Sequence, residues 1–365
     1  MRIMTVVGAR PQFIKAATIS RVIKESHQSE IKEIIVHTGQ HYDENMSKVF
    51  FDQLEIPKPE YNLEISGASH GAMTGRMLEA IEVVINKEKP DYLLVYGDTN
   101  STLAGALAAA KLQVPVAHVE SGLRSYNMKM PEEINRILTD RISNLLFCPT
   151  DEAIKNLKQE GIEEGVFNTG DVMYDAAIFY RNRVDKKSKI LTSLNINSSE
   201  YLLATCHRAE NTDDSMRLES ILKALHEISD KINVVLPLHP RTQKLMQKYG
   251  LTHLTKNLII VEPLDYIDMI SLEKSAKMIL TDSGGVQKES FFYNVPCITM
   301  RDETEWVETV KLGWNKVVGA NKMAIVDAYE SFLSSAPKNK NKKPYGLGDS
   351  AEKIVNHILK KFKDK

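Results

Sequence analysis

Short apolar runs and longer stretches with apolar positions every third or fourth residue alternate along this chain. In the first half the runs cover residues 3–7, 34–37, 92–96, 114–119, 144–150 and 166–170. In the second they cover 201–205, 233–238, 258–261, 278–281 and 296–300. Runs this short and rich in β-branched residues predict buried strands, and the stretches after them predict helices, for example 70–88, 151–160 and the residues after Asp214. A further helix is expected over 43–54. Strand–helix alternation on both sides of residue 170 predicts an α/β protein of two doubly wound domains. The expected domains are 1–169 and 170–349. Residues 350–365 are set apart as a C-terminal amphipathic helix that can pack on either domain, back on the N-terminal one among them. No clear sequence repeat relates the halves.

Residues 91–141 concentrate the candidate chemistry. The run 92–96 ends at Gly97 and Asp98, and Asn100 or Ser101 can cap the Ala-rich helix that follows. The run 114–119 ends at Glu120, Gly122 breaks the chain, and Pro131 suits the first turn of another helix. Ligands of open parallel sheets bind outside the carboxyl ends of the strands, so Asp98 and Glu120 belong at one mouth. Glu132 and Arg136, one turn apart, share a helix face and can join them. Ile134, Ile137, Leu138 and Ile142 are then expected to face the core. Like charges brought together raise one another's pKa, so three carboxylates with one guanidinium point to chemistry.

Composition narrows the function classes. The chain has 365 residues, 42% hydrophobic and 26% charged, with a formal net charge of -1. Near-neutrality removes a general electrostatic case for nucleic acid or an anionic membrane. No apolar run approaches the ~18 residues of a membrane span, and the opening MRIMTVVGARP reads as a strand rather than a signal peptide. Cys148, Cys206 and Cys297 match no metal-ligand spacing and fit a reducing cytoplasm. Neither a metal nor another cofactor is expected.

Local cations then call for local anions. Gly8 and Pro11 open a helix whose first turn is flanked by Arg10 and Lys15, a plausible phosphate site. Gln40 and His41 follow the second strand at the same mouth. In the second half His207 and His239 each end a strand, with Arg208 and Glu210 near the first. In LTDSGGVQKES a strand runs to Thr281, Asp282 or Ser283 caps, and Gly284 and Gly285 let the backbone close on a diphosphate. Glu289, one turn further, could take paired ribose hydroxyls. There is no G-x-G-x-x-G after the first strand, no P-loop and no D-x-D.

The motifs GARPQFIK, HTGQHYDENM, GDTNSTLAGALAA, HVESGLRS, PEEINR, TDSGGVQKES and MRDETEW resemble, in order and spacing, the UDP-N-acetylglucosamine 2-epimerase family. The resemblance covers nearly the whole chain. It implies a GT-B-like pair of Rossmann-type domains with a cleft between them, a UDP-sugar substrate, a homodimer, and a role in surface polysaccharide synthesis. It implies elimination of UDP across C1 and C2 to a glycal and re-addition after the C2 proton returns on the other face. It places catalysis on Asp98, Glu120 and Glu132 with Arg136 and His207. The UDP contacts fall on Arg10, Lys15, His239, Ser283, Gly284, Gly285 and Glu289. Three stretches depart from the usual pattern: Ala9, Gln12 and Phe13; the HRAENTDD run; and Trp306 and Val307. These are expected on loops facing the cleft, where they bear on the sugar. They are similar to the branch acting on UDP-2,3-diacetamido-2,3-dideoxyglucuronic acid, whose carboxylate would need a cation such as Arg208 or Arg301.

Three rivals share parts of this pattern. A GT-B glycosyltransferase would use the same UDP site, though Thr281 stands where retaining members carry a second glutamate. A hydrolysing epimerase would release UDP and free sugar. A UDP-sugar-binding regulator would have no use for the acidic set.

Overall fold

The computed structural model describes residues 1–40, 55, 58–335, 337 and 342–364. The chain forms two compact units, Met1–Ala176 with Lys343–Lys365, and Ala177–Lys342.

In the first unit β1 (Arg2–Val7), β2 (Lys32–His37), β3 (Tyr61–Asn62), β4 (Tyr92–Tyr96), β5 (Val116–Val119), β6 (Leu145–Cys148) and β7 (Val166–Asn168) form one sheet. Its order is β3-β2-β1-β4-β5-β6-β7, and every pairing is parallel. The helices are α1 (Arg10–Ser26), α2 (His70–Glu88), α3 (Asn100–Lys111), α4 (Pro131–Ile142) and α5 (Asp151–Gln159), and α6 (Val172–Lys187) runs from this unit into the second. All five residues of β4 are buried, as a parallel strand covered on both faces requires. Leu93 and Val95 pack with Met4, Val6, Met77, Ile81 and Ala104 in the core beneath α2 and α3. The small buried residues of α3, Ala104, Gly105, Ala106, Ala108 and Ala109, let that helix lie close on the sheet.

The second unit repeats the plan. Its strands are β8 (Tyr201–Thr205), β9 (Asn233–Pro237), β10 (Ile259–Val261), β11 (Met278–Thr281), β12 (Cys297–Thr299) and β13 (Asn315–Val317). They run in the order β10-β9-β8-β11-β12-β13, again all parallel. Between them lie α7 (Ile190–Ser193), α8 (Ala209–Thr212), α9 (Ser215–Ser229), α10 (Pro240–Lys248), α11 (Tyr266–Ser275), α12 (Gly284–Phe292), α13 (Val307–Lys311) and α14 (Lys322–Ser334). Both sheets therefore follow the Rossmann order, although no sequence repeat announces it. The last helix, α15 (Ser350–Lys363), returns to the first unit and packs on α1.

Three local expectations are corrected. The cap of α3 is Thr99, whose hydroxyl accepts from Thr102 N at 3.3 Å, rather than Asn100 or Ser101. The buried face of α4 carries Glu133, Asn135, Arg136, Thr139 and Asp140, while Ile134 and Leu138 are exposed. The helix is turned polar side in because that side is hydrogen-bonded to the strand ends. Ala9, Gln12, Phe13 and Trp306 are buried rather than presented on open loops. Gln12 accepts from Gly8 N (2.8 Å) and Ala9 N (3.0 Å) and donates to Tyr96 O (2.8 Å), tying the start of α1 to the end of β4. The helix expected over 43–54 lies outside the described residues. Among the described residues, no helix is long and apolar enough to cross a membrane.

Candidate active site

The strand order of the first sheet reverses between β1 and β4, and a crevice outside the carboxyl ends of the strands opens at such a point. Lys15 reaches there from α1 and donates to the Glu120 carboxylate at the end of β5; both side chains are buried. Gly97, just past β4, has φ +62°, and a side-chain carbon on it would stand 3.1 Å from the Lys15 nitrogen and 3.2 Å from Glu120 Oε2. The positive φ favours glycine here, and a side chain would crowd the pair beside it. Glu120 itself has φ +70°. A glutamate held in the left-handed region costs on the order of 1–3 kcal/mol, where glycine would cost little. A carboxylate retained at that expense points to use.

Asp98 follows Gly97 and accepts from Arg136 Nη2 at 2.6 Å, while Asn135 Nδ2 donates to its carbonyl at 2.9 Å. Both donors come from the polar face of α4. Arg136 Nη1 turns to Glu133 Oε2 at 2.7 Å, so Arg136 is shared by Asp98 and Glu133. Glu132, in the first turn of α4, stays partly exposed. Glu133 is fully buried and also takes Ser125 N, Ser125 Oγ and Tyr126 N. Burial would raise its pKa, but these hydrogen bonds and Arg136 outweigh it and hold the carboxyl below the usual range. The adjacent pair Glu132 and Glu133 thus divides its work: the second is built into the fold, and the first remains available. The sequence reading missed Glu133; its signal was a second acid at i−3 from Arg136.

Gln40 joins this end of the sheet, its Oε1 accepting from Ser101 N (3.1 Å) and Ser101 Oγ (2.7 Å). His41 and the side chain of Arg10 lie outside the described residues. Lys15, expected beside a phosphate, is committed to Glu120 here.

The second sheet reverses between β8 and β11, and the candidates of that half gather there. Asp282 is fully buried at the end of β11 and accepts from His207 N (3.0 Å), Arg208 N (3.0 Å) and Asn211 Nδ2 (3.2 Å). It does not cap α12; it holds the turn that presents His207. The imidazole of His207 is exposed, with Nδ1 3.7 Å from Asp282 Oδ1. Ser283 is the N-cap of α12 without a side-chain hydrogen bond. Gly284 is needed for close approach, since a side-chain carbon there would stand 2.5 Å from Glu305 Oε1. Gly285 is free of such crowding. Glu289 accepts from the Tyr266 hydroxyl at 3.3 Å. His239 caps α10, its Nδ1 accepting from Arg241 N at 3.2 Å. Burial, then the neighbouring His207, lowers its pKa, so the neutral ring is left with Nε2–H as a donor.

Arg301, expected as a cation for the substrate, is buried and paired with Glu305 at 3.0 Å. Trp306 lies under the Lys288 ammonium, 4.1 Å from its ring centre. Lys288 and Trp306 are both buried, so this departure from the usual loop builds the wall behind α12.

Acids at the strand ends of the first unit, and in the second a glycine turn that opens a helix, are each suited to a nucleotide-sugar enzyme. A family model described as UDP-N-acetylglucosamine 2-epimerase matches residues 24–359. The chain belongs to that family. It is 55% identical over 359 residues to a UDP-N-acetylglucosamine 2-epimerase homolog of Methanococcus maripaludis, covering 97% of this chain and 98% of that protein. It is 53% identical over 364 residues to the UDP-2,3-diacetamido-2,3-dideoxy-D-glucuronate 2-epimerase of Pseudomonas aeruginosa, covering 99% and 100%. Among solved structures it is similar to the Methanocaldococcus jannaschii UDP-GlcNAc 2-epimerase in complex with UDP-GlcNAc and UDP. There the TM-score is 0.91 and the identity 45%, covering 99% of this chain and 100% of that one. The family's curated members are UDP-sugar 2-epimerases, which are isomerases, and its fold is GT-B-like with two Rossmann-type sheets.

Proposed function

We propose that this chain inverts C2 of a UDP-2-acetamido sugar by eliminating UDP to a glycal and adding it back. The observation that carries the reading is the acidic cluster at the first switch point, where Glu120 accepts a strained backbone and both Asp98 and Glu120 are given cations. The C2 hydrogen has no neighbouring carbonyl and is barely acidic. Breaking the C1–O bond first, with the electron pair leaving on the UDP β-phosphate, places positive charge on the ring and acidifies that hydrogen. Carboxylates on the ring side stabilise this charge and move the proton. The second unit holds the nucleotide: the start of α12 with Ser283, Gly284 and Gly285 takes the diphosphate, Glu289 the ribose, and His239 donates from Nε2. A helix terminus supplies only ~0.3–2 kcal/mol toward an anion, so the exposed imidazole of His207 and Nε2 of His239 add to it in stabilising the leaving group.

A second reading, that the sugar carries a carboxylate, is favoured by the 53% identity to the diacetamido-glucuronate epimerase. Arg208 suits that carboxylate better than Arg301, because Arg208 is partly exposed and Arg301 is bound to Glu305. Incubating the purified chain with each UDP-sugar in deuterated water, followed by NMR, tests both. The expected product is the 2-epimer of one of them with deuterium at C2. Free UDP and free sugar rising together would mean hydrolysis, and no reaction without an acceptor would mean a transferase.

We also infer a cytoplasmic location, supported by three free, buried cysteines, and a homodimer, supported by the exposed apolar positions Ile134 and Leu138 on α4. Sedimentation is expected to give a two-chain mass, and Leu138→Glu to shift it to one chain; a single-chain mass for the unaltered protein would overturn this.

A further inference from the structure

We propose that His118 is a positioning residue, a buried imidazole that clamps the Gly97 carbonyl and thereby sets the Asp98 carboxylate in the site. The kinetic part of this rests on the epimerase reading above.

His118 lies on β5 and is fully buried. Its Nε2 is 2.7 Å from Gly97 O, and its Nδ1 is 2.7 Å from Asp140 Oδ1. A carbonyl oxygen only accepts, so Nε2 carries hydrogen. Asp140, on α4, is also buried, and its other oxygen accepts from Gly122 N (3.0 Å) and Arg124 Nη1 (2.8 Å). Burial would raise the Asp140 pKa, but the bonds and charges of His118 and Arg124 outweigh it, so the carboxyl lies below its ordinary range. The ring is held at both ends, between the Gly97 carbonyl and the Asp140 carboxylate, and Arg124 from the loop after β5 shares that carboxylate. Cys148 on β6, bonded to Ser121, has its thiol pushed up by burial to about 12 and stays neutral.

The consequence reaches the reacting groups through one residue. Gly97 O is the last carbonyl before Asp98, and the same Gly97 touches the Lys15–Glu120 pair by its Cα side. A ring whose Nε2 lacked hydrogen would turn a lone pair on the Gly97 oxygen at 2.7 Å and push the turn away. A misplacement of about 1 Å can cost on the order of 100-fold in rate.

Two measurements on the full-length protein test the clamp. In nitrogen-detected NMR near neutral pH, Nε2 of His118 is expected to carry hydrogen; a bare Nε2 would overturn the proposal. In kinetics, His118→Gln is expected to lower kcat about 10–100-fold with KM and UDP affinity within about 2-fold, and Asp140→Asn to give the same split. Because His118 acts through Asp98, adding His118→Gln to Asp98→Asn should cost little more than Asp98→Asn alone. Fully multiplying losses, or a loss in KM instead of kcat, would contradict the positioning role. If the unaltered chain epimerises no UDP-sugar, the functional reading fails, and the NMR result alone decides the clamp.

Discussion

Changing Asp98, Glu120 or Glu132 to the corresponding amide is expected to lower turnover by on the order of 10²–10⁴-fold while UDP still binds. The amide keeps the size of the side chain and one acceptor oxygen but loses the charge and the basicity. At Asp98 the surviving oxygen can still meet Arg136, whose other nitrogen stays on Glu133, so the turn after β4 is held and the loss is chemical. At Glu120 the loss is compound, because the buried Lys15 keeps its charge without an ionised partner. At Glu132, partly exposed in the first turn of α4, no fold contact is removed, so it gives the cleanest reading of chemistry. Steady-state kinetics with calorimetry of UDP binding checks all three. Near-normal turnover in every variant would end the assignment of these acids.

The second large effect is expected at Lys15. Removing one member of a buried ion pair leaves an uncompensated charge, at a cost of about 3–5 kcal/mol. Lys15→Met should therefore lower the urea midpoint of the first unit and abolish most turnover together. Lys15→Met with Glu120→Gln should recover much of the stability, since no bare charge remains, and none of the activity. That split separates the structural work of the pair from its chemical work. An unchanged midpoint in the single variant would show that the pair contributes nothing to the fold.

Much of this site could be read from the chain before any coordinates, and what could not has local physical reasons. The run 92–96 and its Gly97–Asp98 ending announce a strand and a mouth residue because apolar length and a turn signal coincide there. Strands β3 and β13 have two and three residues, too short for any periodic signal. Helix α4 was oriented wrongly because its Ile and Leu positions outvote its polar ones. The burial of Glu133, Asn135, Arg136 and Asp140 follows from partners on β4, β5 and the loop after β5, which no pattern within the helix reveals. The Lys15–Glu120 pair joins residues 105 positions apart, so each was legible and the pairing was not. Asp282 looked like a cap because it stands next to one; its hydrogen bonds go back to His207 and Arg208 instead. Gln12 and Trp306, expected on open loops, are buried and packed against the turn after β1 and Lys288.

The account turns on the C1–O bond breaking and re-forming during each inversion. Positional isotope exchange measures this directly, using UDP-sugar labelled with oxygen-18 in the bridge between C1 and the β-phosphorus. If UDP leaves, its β-phosphate can rotate before it returns, and label should appear in non-bridging positions of recovered substrate and of the 2-epimer alike. Epimerisation that proceeds with all label still in the bridge would contradict the account.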